Sequence, residues 1–236
     1  MRQYLFFTHP FFGSMLTMLR DNEFIQWFRS IPISTKLLTV STLVTAAAIS
    51  SRGVYPQNLV YYPEHVYGHH EYWRLLTCFF CSEISFSFVF RLYILYTFSR
   101  QLESSPLFSD SSLGYPYFLL LTMLSSIAFS STFVDLIVFH ETLIMSITFL
   151  WARYYKDVTV VLLPSIRFQG SNVPYLLMIY TFLTRNGELP YDQIIGAISA
   201  YIYCYIYDVQ PTNQGPQAIR PAILHHLFPI SGDFAI

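Results

Sequence analysis

Three sets of side chains in this 236-residue chain have types and spacings that chemistry uses. Glu64-His65 and His69-His70-Glu71 offer zinc-ligand chemistry. Structural zinc sites, however, favour cysteine as well as histidine in tight pairs, and nothing here closes a four-ligand set, so the run reads as a solvated loop. Cys78-Phe79-Phe80-Cys81 has the spacing of a redox pair, but no thioredoxin-like βαβ pattern accompanies it. Two buried apolar cysteines are the better reading. The third set centres on Arg91. A guanidinium in the middle of an apolar span costs about 2.5–3.5 kcal/mol on insertion scales, so it needs a hydrated interior or an acidic partner. Glu83 stands about two helical turns earlier on a similar face, and Glu141 is the other candidate. The bland alternative is that Arg91 snorkels to headgroups beyond Phe98. Ser85, Ser87 and Thr97 on the same stretch favour a polar cavity.

The elements that must carry these residues are those of a membrane protein. Charged residues make up 11% of the chain, hydrophobic ones 53% and aromatic ones 19%, with mean hydropathy +0.41. Soluble domains carry about 25% charged residues, so this chain cannot build a water-facing surface. A net charge of −1 gives no electrostatic footing for nucleic acid. Three cysteines make no disulfide framework, and no cofactor or metal is implied.

A spanning helix needs roughly 20 mostly apolar residues. Residues 33–50 are the first candidate, followed by a polar, His-rich loop over 51–72. Residues 73–81 read as an interfacial or re-entrant helix, and 84–98 as the second span. A Ser-rich loop over 101–114 leads to spans at 115–130 and 136–151. Residues 152–172 form an exposed connection with β character at 158–163, before spans at 173–184 and 191–207. The fold class is thus an all-α membrane protein with six transmembrane helices and a large loop after the first. Two spans are short: 12 residues at 173–184 and 15 at 84–98, about 18 and 22 Å long against a core of about 30 Å. Helices that short thin the bilayer around them.

Positive charges orient the bundle. With both termini cytosolic, Arg2, Arg20, Arg29, Lys36, Arg100, Arg153, Lys156, Arg167 and Arg220 share the cytosolic side, against Arg52, Arg74 and Arg185 on the other. Residues 4–19 are apolar enough to mimic a signal peptide, but His9-Pro10 interrupts them and no small-residue cleavage site follows. They read as an extension upstream of a start near Met15 or Met18, with an amphipathic surface segment as the alternative. The domain division is 1–26 extension, 27–210 membrane domain and 211–236 cytosolic tail.

Short motifs in a fixed order then narrow the class. They are Trp27-Phe28-Arg29-Ser30-Ile31-Pro32, Trp73-Arg74, Ser85-Phe86-Ser87-Phe88, Ser99-Arg100-Gln101-Leu102-Glu103, Phe149-Leu150-Trp151-Ala152-Arg153, Arg167-Phe168-Gln169 with Pro174, and Asp208-Val209-Gln210-Pro211. In this order they resemble the Derlin family, rhomboid-like proteins of the endoplasmic reticulum that have lost protease chemistry. The likeness runs from Trp27 to Pro211. It departs at Gly196-Ala197-Ile198-Ser199-Ala200-Tyr201, where Tyr201 replaces an expected His, and at Arg91, where the family often has Asn. Gly196 and Ala200 still permit close helix approach.

The resemblance implies a rhomboid-like fold in the endoplasmic reticulum membrane. It also implies a non-catalytic role in retrotranslocating misfolded proteins, by a lateral opening between spans two and five and by local thinning. Implied partners are misfolded substrates, the lipid bilayer, a membrane-embedded ubiquitin ligase, homo- or hetero-oligomeric copies, and a AAA ATPase. The tail offers only Ser231-Gly232 in place of a Gly-rich docking motif, so the ATPase contact is expected to be indirect. Trp73-Arg74 is read as a structural pin of the loop at the luminal interface. An active rhomboid protease would need a Gly-x-Ser-Gly turn in the fourth span and a His in the sixth. Ser146 has no glycine beside it and the sixth span has no histidine, so Ser146 reads as a helix-packing hydroxyl. A small transporter would need polar groups along several spans, for which only Glu83, Arg91 and Glu141 speak.

Overall fold

The computed structural model describes residues 4–6, 21–109, 113–163 and 166–206. A short strand, β1 (Tyr4–Phe6), precedes α1 (Asp21–Ser30), α2 (Ile33–Ser50), a 3-10 turn at Pro56–Asn58, α3 (Pro63–Gly68) and α4 (Arg74–Thr77). Then follow α5 (Phe86–Glu103), α6 (Pro106–Ser109), α7 (Gly114–Phe133) and α8 (His140–Tyr154). The hairpin β2 (Thr159–Leu163) and β3 (Ile166–Gln169) leads to α9 (Val173–Thr184) and α10 (Tyr191–Ile206). The chain is mostly helical, with α8 at its centre: α5, α7, α9 and α10 all pack on it, and α2 joins through α5.

Several helices are built inside out relative to those of soluble proteins. The buried face of α2 includes Ser34, Thr35, Thr42 and Ala46, while Ile33, Leu37, Leu43 and Val44 are exposed. The same holds for α7, which buries Thr122, Ser126 and Ser130 and exposes Leu120, Leu124 and Phe133. Small and hydroxylated residues let helices approach closely where the surroundings are as apolar as leucine. Thr39, Thr42 and Thr45 each donate to the carbonyl four residues back, so their hydroxyls need no neighbour. By length and composition α2 and α7 can each cross a membrane.

The end of the bundle that carries the sheet is fastened by the Ser99–Glu103 turn. The Glu103 carboxylate accepts the Ser34 and Thr35 amides at 2.9 and 2.8 Å and the Thr35 hydroxyl at 2.7 Å. The first amides of a helix have no intrahelical acceptor, and a negative charge there also complements the helix dipole. One turn back, the Ser99 hydroxyl meets Thr35 at 3.1 Å and Tyr115 of α7 at 2.6 Å. Gln101 accepts the Trp151 indole N–H at 2.6 Å, and the Trp151 ring stacks on Phe98 with centroids 4.2 Å apart.

Beyond α8 the chain forms a three-stranded sheet in the order β1-β2-β3, with β1 parallel and β3 antiparallel to β2. The β character read at 158–163 is this hairpin; β1 lies in a segment read as an extension. Gly170 follows β3 where a side chain would overlap the Tyr155 carbonyl.

Several boundaries correct the sequence reading. The second apolar helix runs from Phe86 to Glu103, 18 residues rather than 15. The Ser85 hydroxyl caps its start by accepting the Phe88 amide, and the contacts of Gln101 and Glu103 hold its end. At about 27 Å it is no longer short against a hydrocarbon core of about 30 Å. The 73–81 segment contains only the four residues of α4 as helix. The fourth helix starts at His140 instead of 136, because Leu136 is turned by its amide donating to the Ser130 hydroxyl. The 12-residue α9 stands as read. The motif at 208–211 and the tail at 211–236 lie outside the described residues.

Replacing Glu103 with alanine should lower the stability of the detergent-solubilised protein by about 1–3 kcal/mol, the consequence of unpartnered donors, read as a fall in Tm. Glu103→Gln, which keeps one acceptor, should fall between. An unchanged Tm in Glu103→Ala would show that this carboxylate does not hold α2.

Candidate functional site

At the end of the bundle opposite the sheet, residues 51–85 fold across the helix ends around one side chain. Arg74 is 5% exposed. Its Nε pairs with Glu71, and its Nη1 donates to the carbonyls of Gln57 and Val60. Two stretches of loop, at 57–60 and at Glu71, therefore converge on one guanidinium, whose planar fork suits several acceptors at once. Thr77 adds a bond to the Leu59 carbonyl at 2.9 Å. Trp73 faces the other way and is more than half exposed. The motif is thus split between an inward pin and an outward ring.

The other loop residues with chemical potential are placed as follows. His65 lies 3.7 Å from Glu71, and His70 shares a hydrogen bond with Tyr72. Cys78, Cys81 and Cys204 are free and buried. Burial pushes the Cys78 thiol up to about 12, so it carries no thiolate for exchange at neutral pH.

Beneath this loop lies a cavity of about 450 Å³, lined by Glu83, Arg91, His140, Glu141, Arg185 and Asp192 among others. Arg91 of α5 meets Glu141 of α8 with Nε and Oε1 2.7 Å apart. Of the two carboxylates expected as its partner, Glu141 is therefore the one, and Glu83 sits exposed on the cavity rim. The other Glu141 oxygen accepts from Gln193 of α10 at 3.1 Å, and the same Gln193 amide nitrogen reaches Thr181 of α9 at 2.7 Å. One polar chain thus links α5, α8, α9 and α10.

A second ion pair flanks it. Arg185, just after α9, grips Asp192 of α10 through both carboxylate oxygens at 3.1 and 2.6 Å. This hydrogen bonding raises the Arg185 pKa above its ordinary value. The Asp192 carbonyl accepts the Thr142 hydroxyl of α8 at 2.9 Å. The α9–α10 turn is therefore tied back to α8 as well as closed on itself.

Two residues let α8 and α10 come this close. A methyl group on Gly196 would overlap the Thr142 carbonyl and crowd Met145, so glycine is required there by the approach of the neighbouring backbone. Ala200, fully buried, continues the same face one turn on. Ser146 lies against this seam, its hydroxyl 2.9 Å from the carbonyls of both Thr142 and Gly196. Tyr201 is more than half exposed on α10, away from that seam.

Arg185, Asp192, Gln193, Thr142, Thr181 and His140 were not singled out from sequence. Only Asp192 left a trace there, as an acid in the first turn of a helix seven residues after an arginine. A pairing across a helix–helix turn has no fixed periodicity, whereas a lone charge inside an apolar run, such as Arg91, stands out.

Comparison with known proteins agrees in extent with this architecture. The Der1-like family model matches residues 31–221. The probable derlin-2 homolog of Dictyostelium discoideum is 27% identical over 212 residues, covering 86% of this chain and 82% of that protein. Derlin-2.1 of Zea mays is 24% identical over 215 residues, covering 86% and 85%. Derlin-1 of Homo sapiens is 24% identical over 193 residues, covering 80% and 75%.

Removing one member of a buried ion pair strands the other, at about 3–5 kcal/mol, whereas replacing both with apolar residues is close to neutral. The Arg91 side chain is 26% exposed, so Arg91→Leu and Glu141→Leu should each lower the unfolding free energy in detergent by less than that, about 1–3 kcal/mol, and the double variant by much less than the sum. Additive losses would mean that the two side chains do not act as a pair.

Proposed function

The chain belongs to the Der1-like family, and on that premise we propose that it is a non-catalytic, multi-pass component of endoplasmic-reticulum-associated degradation that helps move misfolded proteins towards the cytosol. In this reading α2, α5, α7, α8, α9 and α10 are six spans in a rhomboid-like arrangement. Both termini and the sheet face the cytosol, and the 51–85 loop faces the lumen. Partners are a membrane-embedded ubiquitin ligase and, indirectly, a AAA ATPase that supplies the pulling force.

The observation that carries the proposal is the charged cavity beside α9. Unpaired backbone or charge in hydrocarbon is strongly unfavourable, so a polypeptide moving out of the lumen needs polar surroundings within the membrane. The Arg91–Glu141 and Arg185–Asp192 pairs provide them. The 12 residues of α9 cover about 18 Å, well short of a hydrocarbon core of about 30 Å. Its outward face carries Tyr175, Ile179, Phe182 and Leu183. Lipid meeting that face must thin or tilt to match it, which shortens the path for polar chain. Phe90 of α5 faces Tyr180 of α9 across the same seam, ring centroids 6.3 Å apart, at the place where a lateral opening between spans two and five would lie.

The arrangement argues against proteolysis. Among the described residues the Ser146 hydroxyl has only carbonyl acceptors at hydrogen-bond distance, and neither can take up its proton as a general base must. α10 carries no histidine.

The test is the half-life of a misfolded luminal reporter in cells lacking this protein, complemented at matched expression. Wild type and Ser146→Ala should restore degradation equally. Arg74→Ala, which releases the loop from its pin, should leave the reporter's half-life several-fold longer. A reporter indifferent to wild type would sink the proposal, and failure of Ser146→Ala alone would reinstate a serine protease.

A further inference from the structure

The cavity wall holds more acceptors than donors. Two guanidinium groups, Arg91 and Arg185, stand against three carboxylates, Glu83, Glu141 and Asp192. Each guanidinium is engaged by one buried carboxylate, at 2.7 and 2.6 Å. Glu83 on the rim has no ion-pair partner among the described residues. One negative charge is therefore left over at the mouth.

The uncharged groups lean the same way. His140 is 2% exposed, and its Nδ1 lies 3.1 Å from the Phe79 carbonyl oxygen. A carbonyl only accepts, so Nδ1 carries the proton, and in the neutral ring Nε2 is a bare lone pair. Among the described residues, that Nε2 has no hydrogen-bond partner. Neither has Oε1 of Glu141, which meets Arg91 as a charge without an aligned N–H, nor Oε1 of Gln193 in the layer behind. All three are buried acceptors on adjoining helix ends. Buried polar atoms of this kind are ordinarily satisfied; what satisfies them is a hydrogen-bond donor, and the unbalanced Glu83 at the mouth favours a donor that carries positive charge.

We infer that this cavity receives a basic side chain, a lysine or arginine, of the client polypeptide, with Glu83 at the rim as its counter-charge and the His140–Glu141 acceptors within; this rests on the proposed role in client passage. An ammonium brings three donors and a guanidinium five, and neither accepts. An ionised aspartate or glutamate, or a leucine, would bring no donor to the His140 Nε2 that lines the cavity. The volume, about 450 Å³, falls within the range of about 300–1,000 Å³ typical of ligand sites. It accommodates one long side chain with its adjoining backbone. Substrate selection at this protein then includes a chemical element: a cationic residue that the hydrocarbon core disfavours finds its partners here.

The test uses the full-length protein in microsomes with a photo-crosslinking residue in place of Ile137, which lines the cavity and is 46% exposed. The probes are single-span reporter proteins identical except for one intramembrane position, occupied by Lys, Arg, Leu or Glu. Crosslinking to the Lys and Arg reporters should exceed that to the Leu and Glu reporters about tenfold, the factor equivalent to 1.4 kcal/mol. Glu83→Gln should bring the basic reporters down towards the Leu value, and its Tm in detergent, measured separately, reports that the variant is folded. Glu83→Lys should shift preference to the Glu reporter. Equal crosslinking of all four reporters, or a preference that survives Glu83→Gln, would overturn the inference while leaving client passage intact. No crosslinking to any of them would remove both.

Discussion

The carboxylate of Glu103 takes the first amides of α2, and much of the bundle is arranged around that contact. The turn that carries it is the last of α5, and its neighbours Ser99 and Gln101 reach α7 through Tyr115 and α8 through Trp151. Three helices are thus registered against a single turn by side chains that would be unremarkable in water. In an apolar environment the alternative to each of these bonds is an unsatisfied polar group. That makes the register specific: sliding α5 by one residue would carry Glu103 away from the α2 amides and Gln101 away from the indole at once.

The opposite end is built by a different rule. There the contacts are ionic, not capping, and they leave a hollow where the Ser99–Glu103 end is filled. Phe98, Trp151 and Tyr155 close one end by stacking, whereas Arg91, Glu141, Arg185 and Asp192 line a space at the other. Buried ion pairs are weak evidence of stability, because desolvation offsets attraction; apolar residues would hold α5 to α8 at least as well. Their presence at a cavity is better explained by what the cavity admits than by what the pairs stabilise. Arg74 supports this division, since its Nε and Nη1 are both spent on the loop that roofs the space.

Much of this was legible in the residues, for physical reasons. The apolar runs had to be helices because a membrane leaves the backbone few other ways to satisfy itself, and the ends of α2 and α9 fell where polar and Pro-containing segments interrupt the runs. Arg91 was legible as a site because its charge is unaffordable alone. The extent of α5 was not. Its last turn is polar, and only the fold reveals that Gln101 and Glu103 are consumed by α8 and α2. β1 was hidden for a related reason: a three-residue strand has too little pattern to register, and its partner β2 lies more than 150 residues away. Gly196 and Ala200 were readable as small residues on one face; that the Thr142 carbonyl is the atom pressing on Gly196 was not.

The hydroxyl-rich helices and the charged ones differ in what each requires while the chain is being made. Thr39, Thr42 and Thr45 are satisfied within α2 itself, so that helix can enter a bilayer as soon as it leaves the ribosome. Arg91 cannot be matched that way. Its counter-charge lies in α8, 50 residues further along the chain, with all of α7 in between. In the six-span arrangement proposed above, α5 has during synthesis either to wait in a watery vestibule of the insertion machinery or to enter incompletely until α8 arrives. On that arrangement, biogenesis of this protein is a timed assembly: α2 and α7 can be laid down singly, and α5 and α8 are committed together.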